Sequence, residues 1–168
     1  LWKGQGKKRY ETESYRGITL LPSIYKLFER IYLERFLIWK QQNNIKIPHP
    51  LQSAYQQDMC SLLTSFVLQE TVNYSVQNGS TVYCCFLDNS KAFDTVWHNG
   101  VLYKLNKLGI NGKAWRVIYK AYKDIHANVL FDGVKSRSFQ ILQSVRQGSI
   151  LGPWMWLINI NDCIVGLE

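Results

Sequence analysis

Early in the chain, Ile24, Leu27, Phe28, Ile31 and Phe36 recur at near-helical spacing, while Lys26, Glu29, Arg30 and Glu34 fall largely on the opposite side. The pattern predicts an amphipathic helix with Ser23 as N-cap, ending near Gln42-Asn43-Asn44. Pro48 and Pro50 then impose an extended connection. A second helix is predicted from about Met59 to Val76, with Asp58 as N-cap, Asn78-Gly79 as the stop, and Leu62, Leu63, Phe66 and Val67 as its buried stripe. The period changes at Thr81, where the run to Leu87 is apolar on both faces and predicts a central strand covered by helices. Two further helices are expected over Gly100 to Leu108 and Gly112 to Lys123, separated by Gly109-Ile110-Asn111. Asp132-Gly133 between the runs His126 to Phe131 and Val134 to Leu142 predicts a hairpin, and Trp154 to Ile160 a very apolar helix. The order defines an α+β domain, with helices packed on one face of a small antiparallel sheet. No internal repeat or linker divides it.

Composition narrows this picture in two ways. With 46% hydrophobic and 14% aromatic residues the chain is globular, which excludes disorder as its organising state. Twenty Lys and Arg against twelve Asp and Glu leave a net charge of +8, which points to a polyanionic partner, nucleic acid ahead of a membrane surface. Cys60, Cys84, Cys85 and Cys163 lack zinc-ligand spacing, and Cys84 and Cys85 read as small apolar core residues of the predicted strand. There is no signal-peptide pattern and no uncharged apolar run of about 18 residues. The expectation is an intracellular protein of nucleus or cytoplasm, with reduced thiols, neither secreted nor in a membrane.

Candidate chemistry concentrates at the end of the predicted strand. Asp88 follows a nearly unbroken apolar run, and an acid there is costly unless a cation meets it. The sharp reading is a metal-binding carboxylate; the plain one is that Asp88 ends a strand and Asp94 caps the helix after it. A basic, glycine-containing stretch, Lys3 to Arg9, is either a solvated terminus or a cationic loop that closes over phosphates. At Gln147-Gly148, glycine admits a close backbone or ligand approach beside a neutral donor and acceptor.

Four stretches carry a resemblance: Tyr15-Arg16-Gly17-Ile18-Thr19-Leu20-Leu21, His49-Pro50-Leu51-Gln52, Phe86-Leu87-Asp88 through Ala92-Phe93-Asp94, and Val145-Arg146-Gln147-Gly148 through Leu151-Gly152-Pro153. In this order, and with the closing Ile158-Asn159-Ile160-Asn161-Asp162, the chain resembles the fingers and palm portion of a reverse transcriptase from a non-LTR (LINE-like) retrotransposon. The resemblance covers nearly all of residues 1–168, with about 1–80 fingers-like and about 81–168 palm-like.

It implies RNA-directed DNA synthesis by two-metal nucleotidyl transfer, with an RNA template, a DNA primer, deoxynucleoside triphosphates and two Mg2+ ions. By resemblance Asp88 is the first metal-binding carboxylate and the backbone carbonyl of Asn89 a secondary ligand. Phe93 lies beneath the incoming sugar and excludes a 2′ hydroxyl. Gln147 and Gly148 run along the incoming nucleotide, and Arg16 holds its triphosphate, where a guanidinium fork suits phosphate oxygens. Lys3, Lys7 and Arg146 are expected to contact nucleic acid.

Two departures qualify the implication. Where the family has a Phe-Arg-x-Gly turn, this chain reads Tyr55-Gln56-Gln57-Asp58, which puts a template or nucleotide contact in doubt. The sequence also ends at Glu168, before the hairpin that carries the family's adjacent Asp-Asp pair, so the 168 residues alone are expected not to polymerise DNA. Two other readings are a non-catalytic, basic nucleic-acid-binding remnant and an unrelated basic α+β domain.

Overall fold

Helices α1 (Ser23–Gln42), α2 (Ser61–Gln77), α3 (His98–Lys107), α4 (Gly112–Tyr122) and α5 (Gly152–Val165) carry the chain in a computed structural model that describes residues 1–165. Between α4 and α5 runs a hairpin of four short strands: β1 (His126–Ala127), β2 (Leu130–Phe131), β3 (Val134–Lys135) and β4 (Phe139–Gln140). The predicted α+β class therefore stands. At the hairpin tip Leu130 pairs with Lys135 and Phe131 with Val134. Asp132 and Gly133 turn the chain with φ of 48° and 75°, the left-handed pair that a two-residue hairpin turn demands.

The core lies where α3, α4 and α5 meet. Val101, Leu102 and Leu105 of α3, Ile118 of α4, and Met155 and Ile158 of α5 are all buried there, joined by Phe36 near the end of α1. Polar contacts fix the helices against one another. Lys104 pairs with Asp162 at 2.9 Å and donates to the Asn159 carbonyl at 2.5 Å, tying α3 to α5. Trp115 Nε1 of α4 donates to the Leu102 carbonyl at 2.8 Å. Asn161 Oδ1 accepts from the backbone N–H of His49 at 2.8 Å and so anchors the segment before α2 on α5.

Several expectations are corrected. Residues 81–87 form no strand among the described residues, and Tyr83, Phe86, Leu87, Cys84 and Cys85 are exposed rather than core. A strand needs a neighbouring backbone to satisfy its N–H and C=O groups, and no described segment pairs with this one. Helix α2 forms, but Leu62, Leu63, Phe66 and Val67 are exposed and it buries no residue. Cys60, with no capping side-chain hydrogen bond, stands at its N-cap in place of Asp58. Pro22, not Ser23, precedes the first turn of α1. On α1 itself Ile24, Leu27 and Ile31 are exposed while Glu29, assigned to the polar side, is buried. The hairpin strands are exposed apart from half-buried Ala127, so the helices pack on each other and not on a sheet face. Two-residue strands offer too little apolar surface to form a layer.

Candidate active site

The site is assembled by two chain segments that meet side by side. Between residues 90 and 97 the chain makes turns and then a single bridge, Trp97 opposite Gln143. Ser144 N–H donates to the Val96 carbonyl and Val145 N–H to the Phe93 carbonyl, both at 2.8 Å. This short ladder sets Phe93 and Asp94 beside the 146–149 loop. His98, at the start of α3, locks the same junction: its Nε2–H donates to the Ser144 carbonyl at 2.7 Å and its ring meets Tyr122 edge-on at 5.0 Å. Burial pushes the His98 pKa down, the nearby Arg146 guanidinium pushes it further down, and the Ser144 hydrogen bond opposes both.

The 146–152 loop is held from beneath by Glu29. Its carboxylate accepts from Ser149 Oγ at 2.6 Å and from the Ile150 N–H at 2.8 Å, and Ser149 Oγ in turn accepts from the Gly152 N–H at 3.0 Å. The loop's outer edge accepts a strand-like contact, Thr19 N–H to the Gln147 carbonyl at 2.9 Å. Gly148 has φ +105°, which favours glycine, and a Cβ there would stand 3.2 Å from the Thr19 carbonyl, a tight contact that adds to the preference.

An open cleft of about 1370 Å³ lies above these elements. Lys3, Lys7 and Arg16 line it together with Asp88, Asn89, Phe93 and Asp94 and with Arg146, Gln147 and Gly148. Every residue that the motifs nominated is thus on one surface, including Lys3 and Lys7 from far upstream. The basic N-terminal stretch is ordered by antiparallel pairing of Trp2 with Tyr15 and by Lys3 Nζ donating to the Glu13 carbonyl at 2.6 Å. Tyr15 also meets Phe131 of the hairpin tip edge-on at 5.4 Å.

Some nominated residues have partners that the sequence did not reveal. Arg146 donates to the Tyr25 hydroxyl and, at 2.8 Å, to the Ala121 carbonyl, and its guanidinium lies over the rings of Tyr25 and Tyr122. It braces α1 against α4, and a nucleic-acid contact through it requires giving up those bonds. Asp94 does not cap α3, whose N-cap is Trp97; its carboxylate instead accepts from Gln147 Nε2 at 3.4 Å. Phe93 stacks on Trp156 of α5 with centroids 5.8 Å apart and planes 10° from parallel. Tyr55, the Phe-position residue of the altered turn, meets Phe93 and Trp156 edge-on at 5.9 and 5.8 Å. Glu29, Tyr55, Trp156 and the cleft residue Lys91 escaped the motif reading. No local signal marked Glu29, which the helical period places with Lys26, Arg30 and Glu34 on the polar side.

Among the described residues no group of three His, Cys, Asp or Glu is placed to hold a metal ion. Asp88 and Asp94 share the cleft, and the Asp94 carboxylate accepts from Gln147.

Cations on the walls, two carboxylates and aromatic rings bordering one open cleft suit a protein that handles ligands combining phosphates with aromatic bases. The chain belongs to the reverse transcriptase (RNA-dependent DNA polymerase) family, whose profile matches residues 5–168. It is 32% identical over 160 residues to the RNA-directed DNA polymerase from mobile element jockey of Drosophila melanogaster, covering 94% of this chain and 17% of that protein. The jockey polymerase of Drosophila funebris is 33% identical with the same coverage. A Pol polyprotein from type-1 retrotransposable element R2 of Popillia japonica is 25% identical, covering 92% of this chain and 21% of that protein. The recognition drawn from the motifs, a reverse transcriptase domain of the non-LTR type, stands. The chain spans about a sixth of the length of the jockey polymerases. Enzymes of this family work with divalent metal ions and nucleic-acid templates. No described helix is long and apolar enough to cross a membrane.

Proposed function

We propose that this chain is the nucleotide-gripping portion of an RNA-directed DNA polymerase, with residues 1–80 fingers-like and 81–168 palm-like, acting inside the cell, in the nucleus or cytoplasm. Its substrates are an RNA template, a DNA primer and deoxynucleoside triphosphates. The observation that carries the reading is convergence: residues nominated from separate motifs, Lys3 and Arg16 through Gln147 and Gly148, line a single cleft. Arg16 takes the triphosphate, because its exposed guanidinium makes no ion pair among the described residues and its fork matches phosphate oxygens. Phe93 lies under the sugar, and Gln147-Gly148 along the nucleotide, where the bare glycine backbone lets the base pair approach. Asp88 and the Asn89 carbonyl contribute oxygen ligands to Mg2+, the ion that such ligands and substrate phosphates favour. When bound, that ion offsets phosphate charge; the donors described supply part of its shell.

A test that needs no turnover is titration of the chain with a deoxynucleotide carrying a fluorophore on its γ-phosphate, with and without Mg2+. Binding is expected to be strengthened by Mg2+. Arg16→Ala is expected to weaken it by roughly 10-fold or more, the worth of a charge-assisted phosphate bond. Asp88→Asn is expected to remove the Mg2+ effect. Salt-sensitive RNA binding without any nucleotide binding overturns the proposal in favour of a non-catalytic nucleic-acid-binding remnant.

A further inference from the structure

We infer that Trp156 and Tyr55 are positioning residues for Phe93 and thereby set how sharply the cleft separates deoxyribonucleotides from ribonucleotides. The inference rests on the reading of Phe93 as the residue beneath the sugar. Rejecting one hydroxyl is a demanding task for an aromatic edge, because an added hydroxyl is only weakly disfavoured unless the surface opposing it cannot yield. The ring must therefore be held, and its own backbone does not hold it. Phe93 lies in turns, not in a helix, and it is only half-buried.

What fixes the ring comes from two distant parts of the chain. Trp156, from α5, lies parallel to it in an offset stack at 5.8 Å. Tyr55, from the connection before α2, closes the edge of both rings at 83° and 77°. Tyr55 and Phe93 line the cleft, while Trp156 is absent from its lining and so stands behind them. The indole is held by its faces alone: Nε1 is buried and has no hydrogen-bond partner among the described residues. Buried tryptophans ordinarily find an acceptor for that N–H. A position that tolerates an unpaired donor in exchange for a flat surface against Phe93 is using the ring plane. Tyr55 itself adopts φ +56°, a left-handed conformation unusual for an aromatic residue, and this conformation belongs to the backbone that brings its ring to the pair.

The test measures displacement of the γ-labelled deoxynucleotide from the full chain by dATP and by ATP, with Mg2+ present. The wild type is expected to prefer dATP by about 10- to 100-fold. Trp156→Ala is expected to shrink that ratio at least about threefold, and Trp156→Phe to retain it, since a phenyl ring keeps the stacking face. Tyr55→Leu, at a half-exposed position outside the buried core, is expected to shrink the ratio in the same direction, so an unfolded Trp156→Ala protein leaves the inference decidable. A folded Trp156→Ala or Tyr55→Leu chain with the wild-type ratio overturns the inference while the role of Phe93 stands if Phe93→Val lowers the ratio. If Phe93→Val leaves the ratio unchanged, or the wild type shows no preference, the underlying reading fails and the inference falls with it.

Discussion

Glu29 shows how much one buried carboxylate can organise. It lies on a helix whose neighbours Ile24, Leu27 and Ile31 face solvent, yet it is almost fully buried and holds the Ser149 hydroxyl and the Ile150 N–H. Glu29→Ala leaves both donors without an acceptor and is expected to destabilise the fold by about 2–4 kcal/mol in urea denaturation. Glu29→Gln, which keeps one carbonyl acceptor but turns an N–H toward the other donor, is expected to fall between the two. An unchanged midpoint for Glu29→Ala would mean that the loop keeps its shape without this support. Asp58 makes a related point. It stands where the family places glycine, and it adopts φ +62° there, a conformation that aspartate reaches at lower cost than most residues. The altered turn therefore keeps its glycine-like backbone while losing its arginine.

The elements divide by where their partners lie in sequence. The hairpin was legible because its turn residues and its strands are neighbours, so Asp132-Gly133 specifies the register at the tip, while the pairing of Ala127 with Phe139 lies one residue out of that register. Helices α3, α4 and α5 were legible because their apolar stripes meet one another within one compact region, and the predicted bounds differ from the observed ones chiefly at their ends. Residues 81–87 and helix α2 are apolar too, but their local pattern does not say what covers them, and the residues expected to be core are exposed. The ladder between 93–97 and 143–145 was not legible at all, because each side is too short to show a period. His98 reports on that ladder. Its pKa is held below the ordinary value of 6.5 by burial and by Arg146, with Tyr122 packed on its ring. As pH falls below 6.5 the unfolded chain takes up a proton that the folded chain refuses, so stability present above that pH is lost down to the folded-state pKa. Denaturation at pH 7.5 and 5.5 is expected to show this loss in the wild type and a smaller one in His98→Phe; equal losses would remove His98 from the account.

At the scale of the molecule, the net charge of +8 becomes directional only through folding. Lys3, Lys7, Arg16 and Lys91 are separated along the chain and share one cleft. Single-stranded nucleic acid bound along that cleft releases counterions, with a slope of log affinity against log salt of about −0.7 per phosphate contact. Replacing Lys3, Lys7 and Lys91 together by Ala is expected to flatten that slope by about 2, read by mobility shift across a salt series. A slope that does not change would place the bound strand elsewhere on the surface.

The sequence by itself determined the family, the α+β class, the tip of the hairpin and its turn, the helices, and several of the residues that gather at the cleft, though not Tyr55 or Lys91. Each of these rests on a short motif or a local period, and both are properties of neighbouring residues. Tertiary structure alone decided that Phe93 is backed by Trp156 and Tyr55, that Arg146 braces α1 against α4, that Glu29 is buried, and that the apolar run 81–87 is exposed. Those outcomes depend on which distant group fills a hydrogen bond or covers a ring. Local propensity supplies a segment's readiness for a partner and not the partner itself.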